Sequence, residues 1–433
     1  MTELQEPLNQ LTAAEVAEGI AGGAFTAEAV TAACLERIAA RDGTVHAWAH
    51  LDAEAALAQA RARDAGTPLG PLHGVPVGIK DVFDTCDAPT GMGSPIYAGY
   101  RPFADAFVVA TLRAAGVVIL GKTVTAEFAG LHPGATANPH DPARTPGGSS
   151  SGSAAAVADF MVPAALGTQT GGSVLRPASF CGVVGFKPSF AAISRAGLKL
   201  AAETLDTVGV MARSVEDAAL LAGVLTGAAP RALEEPARPP AIGFCRTVLW
   251  ERAEAETRTA LEEARAGLTE AGAKVAEVEM PADFLAVDRA RNVINAVERA
   301  RTLAFEWARH REEISARLAE TVREGLRTPH RDYVRALETC REVRARLDEV
   351  FGGNEALLVP CVPGAAPLGL ESTGEPALQG FWTALHVPTI TLPTHRTAEG
   401  LPVGIQLVGR PRADDGLLAA AHWMMARLGE GRR

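Results

Sequence analysis

Thr145-Pro-Gly-Gly-Ser149-Ser-Ser-Gly-Ser153, the apolar runs Ala154–Ala158 and Val162–Leu166, and then Gly167-Thr-Gln-Thr170-Gly171-Gly172-Ser173 make up the stretch that decides the fold. Two Gly/Ser turns bracket one apolar unit of helix-then-strand character. A Gly/Ser run alone reads as a flexible linker, but linkers join domains, and these two adjoin segments apolar enough to lie in a core. Thr170-Gly-Gly-Ser173 allows the backbone to turn so that successive N–H groups point into one cavity, where a developing oxyanion would be held. Ser173 is then the candidate nucleophile, with Thr170, Gly171 and Gly172 around the oxyanion. A serine hydroxyl is weak until a base takes its proton. No histidine adjoins either turn, so a base must arrive through the fold or be of another kind.

Outward from the turns, the first candidate base is a lysine. Only five of the 41 basic residues are lysine (Lys80, Lys122, Lys187, Lys199, Lys274), and Lys80 closes Gly74-Val-Pro-Val-Gly-Ile-Lys80-Asp81. That largely apolar strand carries an ammonium group inward. To be half neutral near pH 7 the amine must drop about three units from ~10.4, roughly 4 kcal/mol, which burial can supply. A neutral lysine is a competent base. The segment alone equally allows a lysine at a strand end whose stem reaches solvent.

Further out, Leu11–Ile20, Thr26–Ala40 (with Thr26 as N-cap) and Asp52–Arg63 carry helical spacing and form an outer layer. From Gly70 the texture changes to short apolar runs (Val75–Ile79, Val117–Leu120, Val183–Phe186) separated by Gly and Pro, with helical Ala104–Ala115 between them. The alternation predicts an α/β protein with a partly parallel central sheet. Between about Gly227 and Phe351, Arg and Glu dominate helical stretches such as Thr257–Ala271 and Tyr333–Val350, interrupted by strand-like Ala241–Phe244 and Lys274–Val278. Those charges read as solvated helix faces with no chemistry. Leu357–Val359, Thr389–Leu392 and Val403–Val408 then rejoin the sheet. The expected organisation is one domain over 1–433: a helical layer 1–65, a core 66–226, a variable, mainly helical region 227–350, and a return to the sheet over 351–433.

A chain of 433 residues with 47% hydrophobic and 21% charged residues can bury a large core and is neither disordered nor low-complexity. Its net charge of -10 argues against phosphate neutralisation, so nucleic acid is not expected among its partners. Six cysteines without a CxxC pair indicate neither a zinc cluster nor a disulfide framework. Met1–Glu18 has no basic start or apolar run, and no segment approaches the roughly 18 apolar residues that span a membrane. A cytoplasmic protein without membrane contact is the expectation.

Two patterns are set aside. Gly116-Val-Val-Ile-Leu-Gly121-Lys122-Thr123 matches the phosphate-loop pattern, yet Val-Val-Ile-Leu is a buried strand whose N–H groups belong to its neighbours. His46 and His50 are i,i+4 on an expected helix, but the glutamate and third ligand of a zinc site are missing, so a structural role is expected.

Gly-Gly-Ser149-Ser-Ser-Gly-Ser153, Gly167-Thr-Gln-Thr-Gly-Gly-Ser173 and Cys181-Gly-Val-Val-Gly185-Phe-Lys187-Pro188 together resemble the signature of the amidase signature hydrolases. Weaker patterns follow the same order: Gly70-Pro-Leu-His-Gly-Val-Pro-Val-Gly-Ile-Lys80-Asp81, Asp105-Ala106, Gly121-Lys122-Thr123, Pro360 and Gly400-Leu-Pro-Val-Gly-Ile-Gln406-Leu-Val-Gly409. The resemblance spans nearly the whole chain. It implies a mixed central β-sheet covered by helices on both sides and a Ser-cisSer-Lys triad, with Ser173 as nucleophile, Ser149 as bridging serine and Lys80 as base. It further implies a cis peptide before Ser149 and no metal or organic cofactor. In the implied reaction a seryl acyl-enzyme forms at Ser173 and the leaving nitrogen departs as ammonia or an amine.

Two departures bear on the substrate. Gln169 stands where many members have Asp, and the arginine that often lies two residues after the nucleophile is here third, Arg176. This arrangement resembles a subgroup acting on small amides that bear a carboxylate or ureido group. Arg176 would then clamp a substrate carboxylate, or else pair with an internal acid and brace the turn. The leading reading is a free-standing small-amide hydrolase with a small molecule as its sole partner, the oligomeric state being open and a homodimer a common outcome. The alternative is the amidase subunit of a glutamine-dependent tRNA amidotransferase.

Overall fold

The computed structural model describes residues 7–228 and 233–429. Among them one eleven-stranded mixed sheet runs through the molecule: β1 (Trp48–Leu51), β2 (Pro76–Lys80), β3 (Val118–Thr123), β4 (Ala164–Gln169), β5 (Val184–Lys187), β6 (Thr207–Ala212), β7 (Ala241–Cys245), β8 (Lys274–Val278), β9 (Ala356–Pro360), β10 (Thr389–Arg396) and β11 (Pro402–Gly409), in the order β1-β3-β2-β4-β6-β5-β10-β11-β9-β7-β8. β3, β2 and β4 are mutually parallel, as are β8, β7 and β9, while the pairs between these groups are antiparallel. β2 to β6 and β9 to β11 are buried almost throughout, which is why they read as apolar runs rather than as alternation. The expected α/β architecture, helices packed about a mixed sheet, is the one observed. Two strands escaped the sequence reading. β1 is a four-residue edge strand of mixed polarity, and β6 is interrupted in sequence by Gly209.

The N-terminal helices start where their caps dictate. Thr12, Thr26 and Asp52 each accept a hydrogen bond from the backbone N–H three residues on, opening helices Ala13–Ala21, Ala27–Val45 and Ala53–Asp64. The second of these runs past the expected end to His46, which is left-handed at φ 52° and terminates it. His46 is therefore a helix terminus and His50 a strand residue of β1, so the i,i+4 helical relation expected of them does not exist. The phosphate-loop look-alike is β3, in which Lys122 is fully buried and bound to Asp81 at 3.0 Å, Thr90 Oγ1 at 2.7 Å and the Phe83 carbonyl at 2.9 Å. No helix of the described residues is long and apolar enough to cross a membrane.

The Gly/Ser stretch is not a linker. It opens the buried helix Ser151–Ala158, which returns into β4. Ser153 Oγ donates to the Leu166 carbonyl at 2.8 Å, and Ser150 Oγ accepts from Thr168 N at 3.2 Å, so these hydroxyls pin the helix to the β4 backbone. A Cβ on Gly152 would stand 2.2 Å from the Ala47 carbonyl oxygen and 2.4 Å from Val124 N, both backbone atoms that cannot swing aside. Gly152→Ala is therefore expected to cost about 3 kcal/mol, read as a lower urea midpoint. An unchanged midpoint would mean that the helix is not clamped here.

The variable region corrects one expectation. In the helices Ala286–Thr302 and Ala304–Arg309, Arg291, Glu298, Arg299 and Glu306 are buried rather than solvated. The longer helix packs against Ala316–Arg327, His330–Ala345 and Ala377–Ala384, which cover Arg291, Glu298 and Arg299 while Arg289 and Asn292 stay exposed.

Candidate active site

Lys80 ends β2 and Thr168 lies near the end of its parallel neighbour β4, so both side chains emerge at the carboxyl edge of the sheet, where α/β folds place their ligands. Lys80 Nζ hydrogen-bonds Ser149 Oγ and Thr168 Oγ1, each at 2.7 Å, and all three residues are buried. The neighbouring carboxylate of Asp81 is already engaged by Lys122. Among the described residues Lys80 is thus left with hydroxyls as its only hydrogen-bond partners. Burial holds its amine well below the ordinary lysine pKa; the Asp206 carboxylate opposes this and the Arg299 guanidinium adds to it.

Gly147 and Gly148 carry φ of 83° and 42°, and the turn they make delivers Ser149 to Lys80. The cis peptide implied before Ser149 is not found, since every peptide bond among the described residues is trans. Two consecutive left-handed glycines reverse the chain without it. Ser150 N donates to the Ser173 carbonyl at 3.3 Å, and a Cβ on Gly148 would be 3.1 Å from Ser173 Cα, so the two Gly/Ser turns lie against each other. Ser173 is nearly buried, and among the described residues its hydroxyl hydrogen-bonds nothing. The backbone N–H groups of Gly171, Gly172 and Ser173 likewise donate to no protein acceptor among them. Such a hydroxyl beside unspent N–H donors suits attack on a carbonyl whose oxygen becomes negative.

Thr170 has, through its side chain, a part beyond that of its neighbours. Its Oγ1 donates to Asp206 Oδ1 at 2.5 Å, and Asp206 Oδ2 accepts from Ala201 N at 2.6 Å and Ala202 N at 3.1 Å, anchoring the turn to the loop before β6. Burial pushes the Asp206 carboxyl upward while Thr170 and Arg299 pull it back.

Gln169 caps the helix that follows the nucleophile turn. Its Oε1 accepts from Val174 N at 2.9 Å and Leu175 N at 3.1 Å, and its Nε2 donates to Thr383 Oγ1 at 2.9 Å. A neutral amide therefore serves as the acceptor for the turn, and its donor ties the turn to helix Ala377–Ala384. Gln169→Leu strands two buried N–H groups and is expected to cost about 2–4 kcal/mol, seen as a lower urea midpoint at constant m. No change would remove Gln169 from the turn's support.

Arg176 is fully buried. Its Nε donates to the Thr373 carbonyl at 2.6 Å, its Nη1 lies by Gly172 without a partner, and burial lowers it to about 10. Among the described residues it forms no ion pair, so the internal-acid pairing weighed from the sequence does not occur.

Thr168, Asp206, Arg291 and Arg299 join this neighbourhood without having been singled out. Thr168 lies inside the quoted Gly-Thr-Gln-Thr motif, where its regular alternation with Thr170 was a signal. The other three gave none, because each reaches the site from a distant segment.

The sequence profile of the family described as Amidase matches residues 29–418. The chain is 37% identical to a glutamyl-tRNA(Gln) amidotransferase subunit from Chloroflexus aggregans, over 95% of this chain and 94% of that one. A solved amidase superposes with TM-score 0.88 at 33% identity, covering 97% of this chain and 100% of that one. The peptide amidase of Stenotrophomonas maltophilia superposes with TM-score 0.85 at 30% identity, covering 99% and 98%. The first relative overturns the expectation of a small amide as sole partner, alone or in a homodimer, with nucleic acid excluded: it is one subunit of an enzyme named for glutamyl-tRNA. Net charge bounds only direct phosphate contact, and it is silent about a chain whose assembly binds the nucleic acid elsewhere.

Proposed function

The chain belongs to the amidase family, and from that premise we propose that it hydrolyses a carboxamide through an acyl-enzyme at Ser173, as the amidase subunit of a glutamyl-tRNA(Gln) amidotransferase that draws ammonia from glutamine. The observation that carries the chemistry is the buried Lys80 amine 2.7 Å from Ser149 Oγ, its hydrogen-bond partners among the described residues being hydroxyls rather than a carboxylate. The assembly is supported by the amidotransferase relatives, 36–37% identical over at least 94% of both chains.

In this reading neutral Lys80 accepts the Ser149 proton as Ser149 takes that of Ser173, and Ser173 Oγ attacks the amide carbonyl. The N–H groups at Gly171 and Gly172, with the turn braced by Thr170, hold the oxyanion. Collapse breaks the C–N bond as Ser149 returns a proton to nitrogen, and Lys80 reprotonates Ser149. Ammonia leaves, and water, deprotonated along the same hydroxyl route, releases the acid. Arg176 Nη1, buried by Gly172, is the proposed contact for the far end of the substrate.

A second reading, a free-standing amidase, is favoured by Gln169 in place of the acid, by the third-position Arg176, and by the full-length similarity to solved amidases. Ammonia release separates the two. Turnover of L-glutamine that rises when the other amidotransferase subunits and tRNA are added supports the first. Turnover of simple amides by the isolated chain, with no response to those additions, supports the second. Release from neither overturns both.

A further inference from the structure

Arg291 comes from the helix Ala286–Thr302, far in sequence from the signature turns, yet its side chain is nearly buried against them. What seats it is a glycine. Gly380 lies in the interior of helix Ala377–Ala384, where glycine costs about 1 kcal/mol relative to alanine. A Cβ there would stand 2.8 Å from Arg291 Cδ and Nε and 2.9 Å from Cζ, so the missing methyl is the space the guanidinium occupies. On its other side, a Cβ on Gly171 would be 3.9 Å from Arg291 Nη1. The guanidinium is thus held between an interior helix glycine and the turn that precedes Ser173.

Its hydrogen bonds are incomplete. Nη2 reaches Asp288 Oδ1 at 3.2 Å, but the buried Nε has no partner, and Nη1 donates to no protein acceptor among the described residues. Asp288 is also shared, its other oxygen accepting from Arg252 Nη2 at 2.8 Å. The Arg176 guanidinium approaches the adjacent Gly172 with its own Nη1 unpaired. Burial depresses the pKa of Arg176, the Glu375 carboxylate opposes this, and the charge of Arg291 adds to the depression. Converging like charges with unspent, buried donors are unfavourable unless an anion completes them.

We infer that Arg291 recognises an anionic group on the substrate, a carboxylate carried a few bonds from the scissile carbonyl, and that Gly380 exists to admit it. This rests on the reading of Ser173 as the acylated residue. To the carboxylate-bearing amide already considered it adds a second arginine, whose planar fork suits carboxylate, and the helix glycine that seats it.

The test uses the Ser173→Ala protein, which is not expected to turn a bound amide over, with succinamate and the uncharged butyramide as probes in calorimetric titration. Succinamate is expected to bind at least tenfold more tightly than butyramide. Arg291→Gln should shrink that preference to under threefold. Gly380→Ala, which displaces the guanidinium and adds a better helix former, should shrink it likewise with no loss of Tm, covering the case in which Arg291→Gln fails to fold. Equal binding of the two probes, or a preference that survives either substitution, overturns the inference. Fluorophosphonate labelling of the unsubstituted protein reports separately on the hydrolase. An unlabelled Ser173 together with Arg291-dependent succinamate binding leaves the anion site standing and removes the acyl-enzyme.

Discussion

Lys80→Met is expected to lower kcat by about 10³-fold or more while leaving Tm equal to or above that of the unsubstituted protein. The loss follows from geometry, because no other basic group among the described residues hydrogen-bonds Ser149 Oγ. The stability follows from linkage. The folded amine has a pKa well below 10.5, so between that depressed value and 10.5 the unfolded chain binds a proton that the folded chain does not. Protonation then favours unfolding, and stability rises with pH across that window. A methionine removes this penalty at neutral pH, and its advantage shrinks as pH approaches 10.5. The same depression predicts that kcat/KM climbs with pH as Lys80 loses its proton. A Tm several degrees lower, with activity lost in parallel, would mark Lys80 as structural and sink the proton relay.

Ser173→Ala is expected to remove turnover by about 10⁴-fold or more and to abolish labelling by a fluorophosphonate. Unlike most buried polar substitutions it should be thermally silent. The Ser173 hydroxyl hydrogen-bonds nothing among the described residues, so its loss orphans no partner. The contrast with Gly152→Ala and Gln169→Leu, both expected to destabilise, separates the chemical atom from the frame that presents it. Labelling that persists in Ser173→Ala would transfer the nucleophile elsewhere, Ser149 and Ser150 of the facing turn being the first to substitute.

The lysines illustrate how composition becomes chemistry. Three of the five are wholly buried, and each is satisfied differently. Lys122 faces the carboxylate of Asp81. Lys187 donates to the Pro188 carbonyl at 2.9 Å and the Val387 carbonyl at 2.7 Å, and burial lowers it to about 7. Lys122 also donates to Thr90 Oγ1, but of the three only Lys80 has hydroxyls as its whole set of hydrogen-bond partners among the described residues. A depressed pKa does not distinguish Lys80 from Lys187; the partner set does.

Family membership leaves the assembly as the main question, and the chain gives evidence on both sides. The amidotransferase relatives match nearly end to end. Gln169 and Arg176 instead support the second reading, through their resemblance to a subgroup acting on small amides. The anion site inferred at Arg291 suits either reading, since glutamine itself carries a carboxylate at a comparable remove from its amide.

Local information was enough for whatever depends on neighbours in the chain. Apolar runs bounded by Gly and Pro became β2, β3, β5 and β9 to β11, and Thr26 capped its helix, because backbone preference and burial act over a few residues. The two Gly/Ser turns and Lys80 were legible for the same reason, each being a short motif with its own physics. Through-space neighbours were not. Asp206 beneath Thr170, Thr383 on Gln169 and Arg291 in the notch of Gly380 join positions separated by 36, 214 and about 90 residues. Whether an arginine in a charged helix faces water or a substrate depends on which helix covers it, and helical period records only that the residue is polar. Packing alone made that choice, by burying Arg291 where its partners fall short of its donors.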